Sequence, residues 1–338
     1  MKQVARELGV RYVLEGSVRK AGNRVRITGQ LIDTATGSNI WADHFDGTLD
    51  DIFALQDQVA SSVVGAIEPK LRQSEIERAT RKPTQSLDAY DLYLRALALR
   101  YQYTRESIRE AVALLTGALA IDPSYPPAAA MIGSCRIHQR VHGLGSVSEM
   151  EVAEAVRLAR RAIEAGNEDP DALWMAAWTL AIFTGEHATA ASVIDRALRL
   201  NPNSAHAWMA SGVISNFRNQ PDRAIEAIEH AMRLSPLDPL GGRAFASVMS
   251  LAHLTAGRYE EAIRWADRSL AAQPDYRPAL RVKTICYAYL GSIDEAQGWL
   301  SRVLELELGL TVARFKASAP EPLARHWEAL RKAGLPEE

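Results

Sequence analysis

The feature that most limits what this chain can fold into is a period of 34 residues. Trp174 and Trp208 are 34 apart, and so are Ala190 and Ala224, Ile194 and Ile228, Ala197 and Ala231, Leu200 and Leu234, and Pro202 and Pro236. A second register pairs Gly257 with Gly291, Glu261 with Glu295, and Ala262 with Ala296 at the same spacing of 34. From Ala224 to Ala262 the spacing stretches to 38, and the extra residues fall in LSPLDPLGG. A fixed period of this size means one supersecondary unit copied along the chain, with each copy burying the face its neighbour exposes.

The residue types within one unit dictate a helical hairpin. Between Ala205 and Pro236, Trp208, Ser211 and Gly212 stand at i, i+3 and i+4 of a first helix. The small pair lets a second helix approach, and the indole fills the space beside it. The loop RNQPD follows, then Ala224, Ile228 and Ala231 form the facing stripe at i, i+4 and i+7, and Pro236 stops the helix. Composition agrees: 47% of the chain is hydrophobic, much of that alanine, as expected for helices packed at close range.

These residues resemble the tetratricopeptide repeat (TPR) family, whose unit runs Trp, Leu-Gly and Tyr in helix A, then Ala, an aromatic and Ala in helix B, then Pro. The pattern gives about six units, at about 88–123, 126–167, 171–202, 205–236, 243–274 and 277–308. Trp178 stands where Gly is usual and Arg136 where Tyr is usual; the second unit carries the insertion HGLGSVSEME. Residues 309–338, with Leu323, Trp327 and Leu330 on one face, are expected to cap the last unit. The fold class is therefore a mainly α, TPR-type solenoid preceded by a small partial α/β module. Domain bounds are 1–72 for the module, 73–87 for a linker, 88–308 for the repeats and 309–338 for the cap.

The TPR resemblance implies a concave groove lined by helix A positions two, five, nine, twelve and thirteen. Carried over, these are Met175, Thr179, Ile182 and Phe183 in the third unit, and His206, Met209, Val213, Asn216 and Phe217 in the fourth. They are Ser247, Leu251, Leu254 and Thr255 in the fifth, Arg281, Ile285, Ala288 and Tyr289 in the sixth, and Ser134, Ile137 and His138 in the second. On that list the groove is mostly apolar and lacks a run of Lys and Arg. It is expected to take a protein or peptide, as a helix or an extended apolar segment.

The first eighty residues read differently. RYVLEGSVRK, RVRITGQLIDT and NIWADHF alternate as three strands, with Val25, Ile27, Gly29 and Leu31 on one face and turns at AGN and ATGS. Gly16, Gly22, Gly29 and Gly37 serve turns and a bulge. Helical spacing then takes over at Ile52, Leu55, Val59, Val63 and Ile67, with Asp50 and Asp51 at its start and Pro69 near its end, and a short helix, KQVARELG, precedes the sheet. The string from VARELGV to SSVVGAI resembles a TolB-like amino-terminal module, found in bacteria between a signalling output domain and a TPR array. That output is often a class III adenylate/guanylate cyclase or a winged-helix DNA-binding domain, and LRKAGLPE resembles the tail of cyclase-linked members. Such a module opens with a further strand and helix, so an upstream segment, a covering partner, or self-association through the incomplete sheet is expected.

Chemistry is sparse. GxxxxGK[ST], GxGxxG, HExxH and GxSxG patterns do not occur, and no carboxylate pair has the strand-turn-strand setting of a cyclase metal site. Cys135, His138 and His142 share one helix face at i, i+3 and i+7, but no fourth ligand lies nearby, so a packing face is expected rather than a metal. No catalytic residues, cofactor or metal are expected. A net charge of −2 gives no overall field for nucleic acid; the clusters Arg157, Arg160, Arg161 and Arg78, Arg81, Lys82 read as a solvated helix face and a linker. Two cysteines and no long apolar run or signal-like start point to the cytoplasm and away from a membrane. A small-molecule sensor is a further reading, supported only if a polar cavity encloses Glu15, Gln30 and Trp41.

Overall fold

The computed structural model describes residues 10–34, 36–48, 50, 55, 59, 63, 67, 71, 74–76, 88–165, 168–235, 241–318 and 321–338. The segment KQVARELG, Ile52, Pro69, Arg78, Arg81, Lys82 and most of LSPLDPLGG lie outside the described residues. The chain divides into two compact units, residues 1–83 with 233–236, and residues 84–232 with 237–338.

In the first unit, β1 (Tyr12–Ala21), β2 (Arg24–Asp33) and β3 (Asn39–Thr48) form an antiparallel meander in the order β1-β2-β3. Gly22 and Gly37, both at positive φ, make the two turns. The irregularity in the ladder falls between Leu31 and Ile32, not at a glycine. Val25 and Phe45 are buried with Leu55 from the helical segment, while Ile27, Trp41, Val59 and Val63 pack around them. The i, i+4, i+8 stripe thus lies on the sheet face that alternation assigns to the core. Trp41 pairs with Leu31 and lies over Gly29, where a Cβ would stand 3.0 Å from its ring. Glu15 and Gln30 pair with each other on the opposite, solvated face, joined by a 2.7 Å hydrogen bond. Trp41 therefore cannot share a cavity with them: odd and even residues of β2 face opposite ways. The depression that Glu15 and Gln30 do line is bordered by the exposed residues Ser17, Arg26 and His44.

The second unit is a run of helical hairpins: α1 (Ala89–Arg100) with α2 (Arg105–Ile121), α3 (Pro126–Val141) with α4 (Glu149–Ala165), and α5 (Pro170–Phe183) with α6 (His187–Leu200). These are followed by α7 (Ala205–Phe217) with α8 (Pro221–Leu234), α9 (Gly241–Thr255) with α10 (Tyr259–Ala272), and α11 (Arg277–Tyr289) with α12 (Ile293–Leu306). The first helices of successive hairpins touch in line from α3 to α11, and each of α2, α4, α6 and α10 packs against the first helix of the next hairpin. That double use of each helix is why the core is continuous: Ala190, Ile194 and Ala197, with Ala224, Ile228 and Ala231, are all at or below 2% exposure.

Local chemistry sets the helix ends. Asp88 with Asp91 and Thr104 with Ser107 form reciprocal caps at α1 and α2. Asp169 and Ser204 cap α5 and α7. Each hairpin turn holds a residue at positive φ: Tyr103 (53°), Gly143 (64°), Gly185 (69°), Asn219 (56°), Gly257 (74°) and Gly291 (80°). Gly and Asn take this conformation readily; Tyr103 takes it at a cost on the order of 1–2 kcal/mol. After α12, α13 (Val312–Ser318), α14 (Glu321–Ala324) and α15 (Trp327–Lys332) fold over the last hairpin. Phe315 and Leu330 are buried there with Val303 and Ile285, and Leu323 and Trp327 pack at the margin.

Candidate functional site

The first helices of the hairpins form an inner wall, and that wall encloses a cavity of about 280 Å³. It is reached from many points of the chain: Arg100 at the end of α1, Tyr103 in the following turn, His138 on α3 and His142 at its end, Trp174 and Trp178 on α5. His206, Met209 and Val213 come from α7, Arg243, Ser247 and Leu251 from α9, and Tyr276 and Arg281 from the start of the sixth hairpin.

Aromatic contacts knit one end of this cavity. The Tyr103 ring lies 4.8 Å from both His138 and His142, which stack on each other at 5.5 Å. His138 meets Trp178 edge-on at 5.5 Å, and His142 meets Tyr276 at 5.2 Å. The Arg243 guanidinium sits 4.3 Å over Tyr103 and 5.5 Å over Tyr276 while donating from Nη1 to Gln273 Oε1 at 2.7 Å. Arg100 donates to Ser134 Oγ at 2.7 Å and faces the rings of Tyr101 and Trp174. Tyr103 and His142 belong to the first two hairpins and Arg243 and Tyr276 to the last two, so the inner wall closes on itself here.

Burial, reinforced by the charge of Arg100, holds the His138 imidazolium well below the usual histidine range. Burial and then Arg243 push His142 down to about 3. Both rings are neutral at physiological pH. At the other end, Arg281 pairs with Glu307, the one carboxylate among the described lining residues, and Arg277 donates to the Leu306 carbonyl.

Of the residues the sequence assigns to a groove, His206, Met209, Val213, Phe217, Ser247, Leu251 and Arg281 line this cavity, with Ile137, His138 and Ile182. Met175, Thr179 and Ile285 are instead at or below 1% exposure within the helix packing, and Thr179 closes against Gly133. Asn216 is also fully buried and donates from Nδ2 to the Val248 carbonyl at 3.1 Å, tying α7 to α9. Phe183 carries the Arg140 guanidinium, and Tyr289 stacks on Tyr259 and bonds His326. Leu254, Thr255, Ala288 and Ser134 do not line the cavity.

The basic residues differ from the sequence reading: Arg100, Arg140, Arg243, Arg277 and Arg281 all line the cavity. Arg100 and Arg243 stand at helix ends, outside the helix A positions from which the groove is drawn. Trp178 is the available signal, because an indole in a slot that normally takes Gly must turn away from its own hairpin partner. Cys135 is fully buried in the packing of α3, and among the described residues no group of three His, Cys, Asp or Glu is placed to hold a metal. Arg157 and Arg160 lie on the outer surface in ion pairs with Glu154 and Glu186. No helix of the described residues is long and apolar enough to cross a membrane.

The tetratricopeptide repeat family model matches residues 151–204, 179–239 and 217–277. Residues 151–277 are tetratricopeptide repeats. Among curated proteins, the chain is 36% identical over 192 residues to a putative adenylate cyclase 3 of Rhizobium meliloti (strain 1021), covering 56% of this chain. It spans about a third, 33%, of that relative's length. Among solved structures, PilW, a widely conserved type IV pilus biogenesis factor, is similar at 17% identity and TM-score 0.44, covering 61% of this chain and 93% of that one. TTC0263 of Thermus thermophilus, a thermophilic TPR protein, has 17% identity and TM-score 0.43 over 64% and 99% of the two chains.

Proposed function

We propose that the chain is a non-catalytic interaction module that holds a protein segment against the inner wall of its TPR array. The observation that carries this reading is the wall itself. It presents Val213, Leu251, Ile182 and Met209 from three successive hairpins to one space, and the TPR fold serves protein interaction. The test is site-specific photocrosslinking in cells with a benzophenone amino acid at Val213 or Leu251, compared with the exposed Glu226. A common partner captured from both inner positions and not from Glu226 supports the reading. Equal capture from Glu226, or none from the inner positions, sinks it.

A second reading is favoured by the cyclase-named relative: the chain is the regulatory half of a longer cytoplasmic signalling protein, with the small sheet unit as its TolB-like module. Joining the chain to the amino-terminal part of that relative, and measuring ATP-to-cyclic-AMP conversion with and without it, tests this. A turnover unchanged by the added chain counts against regulation. The edge of β1 that pairs with no strand among the described residues, where Leu14 and Val18 are 52% and 69% exposed, is the place for self-association. Val18→Lys is expected to lower the mass of any oligomer seen by light scattering.

A further inference from the structure

Two guanidinium groups in the TPR cavity, one buried and one half-buried, have no carboxylate partner among the described residues. Arg100 is 3% exposed, and its only polar partner among the described residues is the neutral Ser134 hydroxyl. Arg243 is half-buried and has the neutral Gln273 amide. The Nε of each arginine, the Trp178 Nε1, both ring nitrogens of His138 and the Nδ1 of His142 are buried without a hydrogen-bond partner among the described residues. Buried ionised groups are ordinarily paired, and a buried donor without an acceptor costs roughly 1–3 kcal/mol. The nearest acid among the lining residues, Glu307, is already joined to Arg281. Asp275 lies near enough to raise the His142 pKa, and its carboxylate takes a hydrogen bond from Gln273.

The shape of the place is as specific as its charge. Trp174, Trp178, Tyr103 and Tyr276 present ring faces and edges, and Met209 and Val213 supply an apolar floor. A cavity of about 280 Å³ is at the small end of ligand sites, which run roughly 300–1,000 Å³. Tyr103 is held at a φ of 53°, where the equivalent turns use Gly or Asn, and its ring is thereby placed between Arg243 and the two imidazoles. Strain of this kind accumulates where a side chain is needed in one place.

We propose that this cavity binds a small organic anion, one carboxylate or phosphate group on an aromatic or apolar body. The oxyanion accepts from Arg100, Arg243 and the Trp178 indole N–H, with neutral His138 donating a further hydrogen bond, and the body lies among the rings. Guanidinium groups suit both oxyanions, so the chemistry is shared between them. The ligand would occupy part of the wall that the protein-binding reading also uses, since Met209 and Val213 serve both, but its test uses a free small molecule on the isolated chain, so failure of one reading is distinguishable from failure of the other.

The experiment is calorimetric titration of the full chain, with tryptophan fluorescence as a second readout, using benzoate, indole-3-acetate, phenyl phosphate and inorganic phosphate. Benzamide and indole-3-acetamide are the neutral matches. Saturable binding of an aromatic anion with at least tenfold preference over its neutral match is expected. Benzoate and indole-3-acetate against phenyl phosphate decide which oxyanion is preferred, and inorganic phosphate alone is expected to bind at least tenfold more weakly than phenyl phosphate. Arg243→Gln and Arg100→Gln should each weaken binding about tenfold or more, while Arg160→Gln on the outer surface should not. Absence of binding by all four anions at 10 mM, equal binding of the neutral matches, or full affinity in either cavity variant with native circular dichroism overturns the proposal. The anion-against-neutral comparison on the unaltered protein decides the matter even if a variant does not fold.

Discussion

The guanidinium of Arg243 lies 4.3 Å above the ring of Tyr103, joining the fifth hairpin to the turn of the first. Consecutive hairpins are held by broad helix packing, but this contact joins hairpins far apart in the chain. A desolvated cation–π pair is worth about 0.5–2 kcal/mol. Tyr103→Leu keeps the Cβ and hence the strained turn, so a double-mutant cycle with Arg243→Gln isolates the pair from the backbone. We expect a coupling within that range from urea unfolding of the four proteins. A coupling near zero would mean that the two side chains are adjacent without stabilising closure of the inner wall.

The buried imidazoles make stability depend on pH in a definite direction. His142 is pushed down to about 3 and His326 to about 4, each chiefly by burial, and His138 is held well below the usual range by burial and Arg100. Asp275 opposes the shift at His142, while Arg243 and Arg277 add to it. Below the ordinary value near 6.5 the unfolded chain takes up protons that the folded chain refuses. Stability is therefore complete above about pH 7 and is lost as pH falls, by up to about 1.4 kcal/mol per pH unit for each ring. Urea midpoints measured from pH 7.5 to 5.5 should fall, and His142→Gln should flatten the slope. A midpoint that rises on acidification would contradict the burial of these rings.

Two glycines separate steric from conformational cost. At Gly212 a Cβ would stand 2.7 Å from Ile228 Cδ1 and 3.4 Å from the Ala224 carbonyl oxygen, in the core between α7 and α8. Gly212→Ala should lower stability by about 1–3 kcal/mol through overpacking. At Gly291 nothing lies within 4 Å, but φ is +80°. Gly291→Ala should cost about 1–2 kcal/mol through the backbone alone. Asn219→Gly, at the matching turn of the fourth hairpin, should be close to neutral. Thermal or urea unfolding of the three variants checks the ordering, and a neutral Gly291→Ala would show that the turn can relax.

These contrasts also mark what the sequence makes legible. The hairpins are written in a period, because stacking demands the same small and large residues at the same place in each copy; Gly212, Ala224 and Ile228 can be read directly. The meander is equally legible in the alternation of Val25, Ile27 and Leu31. The cavity is not periodic. Arg100, Tyr103, Arg243 and Tyr276 come from helix ends and turns, and they meet only because the inner wall closes across several hairpins, which no local spacing encodes. Position-by-position transfer from the repeat pattern also puts Asn216 and Thr179 in the groove. In this chain those positions lie against a neighbouring first helix, where Asn216 bonds Val248 and Thr179 meets Gly133.

The two thiols should be chemically silent in the folded protein. Cys135 is fully buried and its pKa is pushed up to about 11 by burial, with Arg100 and Arg136 only partly opposing the shift. Cys286 is buried among Leu280, Ile285 and Val303, and burial raises it to about 12, helped by Glu260. The thiolate is the reactive species, and at pH 8 such thiols are protonated over ionised by roughly a thousandfold or more. Both cysteines are free. Disulfide exchange with an aromatic disulfide reagent at pH 8 should therefore label neither thiol quickly in the native state and both at once in denaturant. Native labelling should be limited by opening of the surrounding hairpins, so the rate should rise steeply with sub-denaturing urea. A fast single-site reaction in the native protein would place one thiol outside the helix packing. Comparison of Cys135→Ala with Cys286→Ala would then show which hairpin opens.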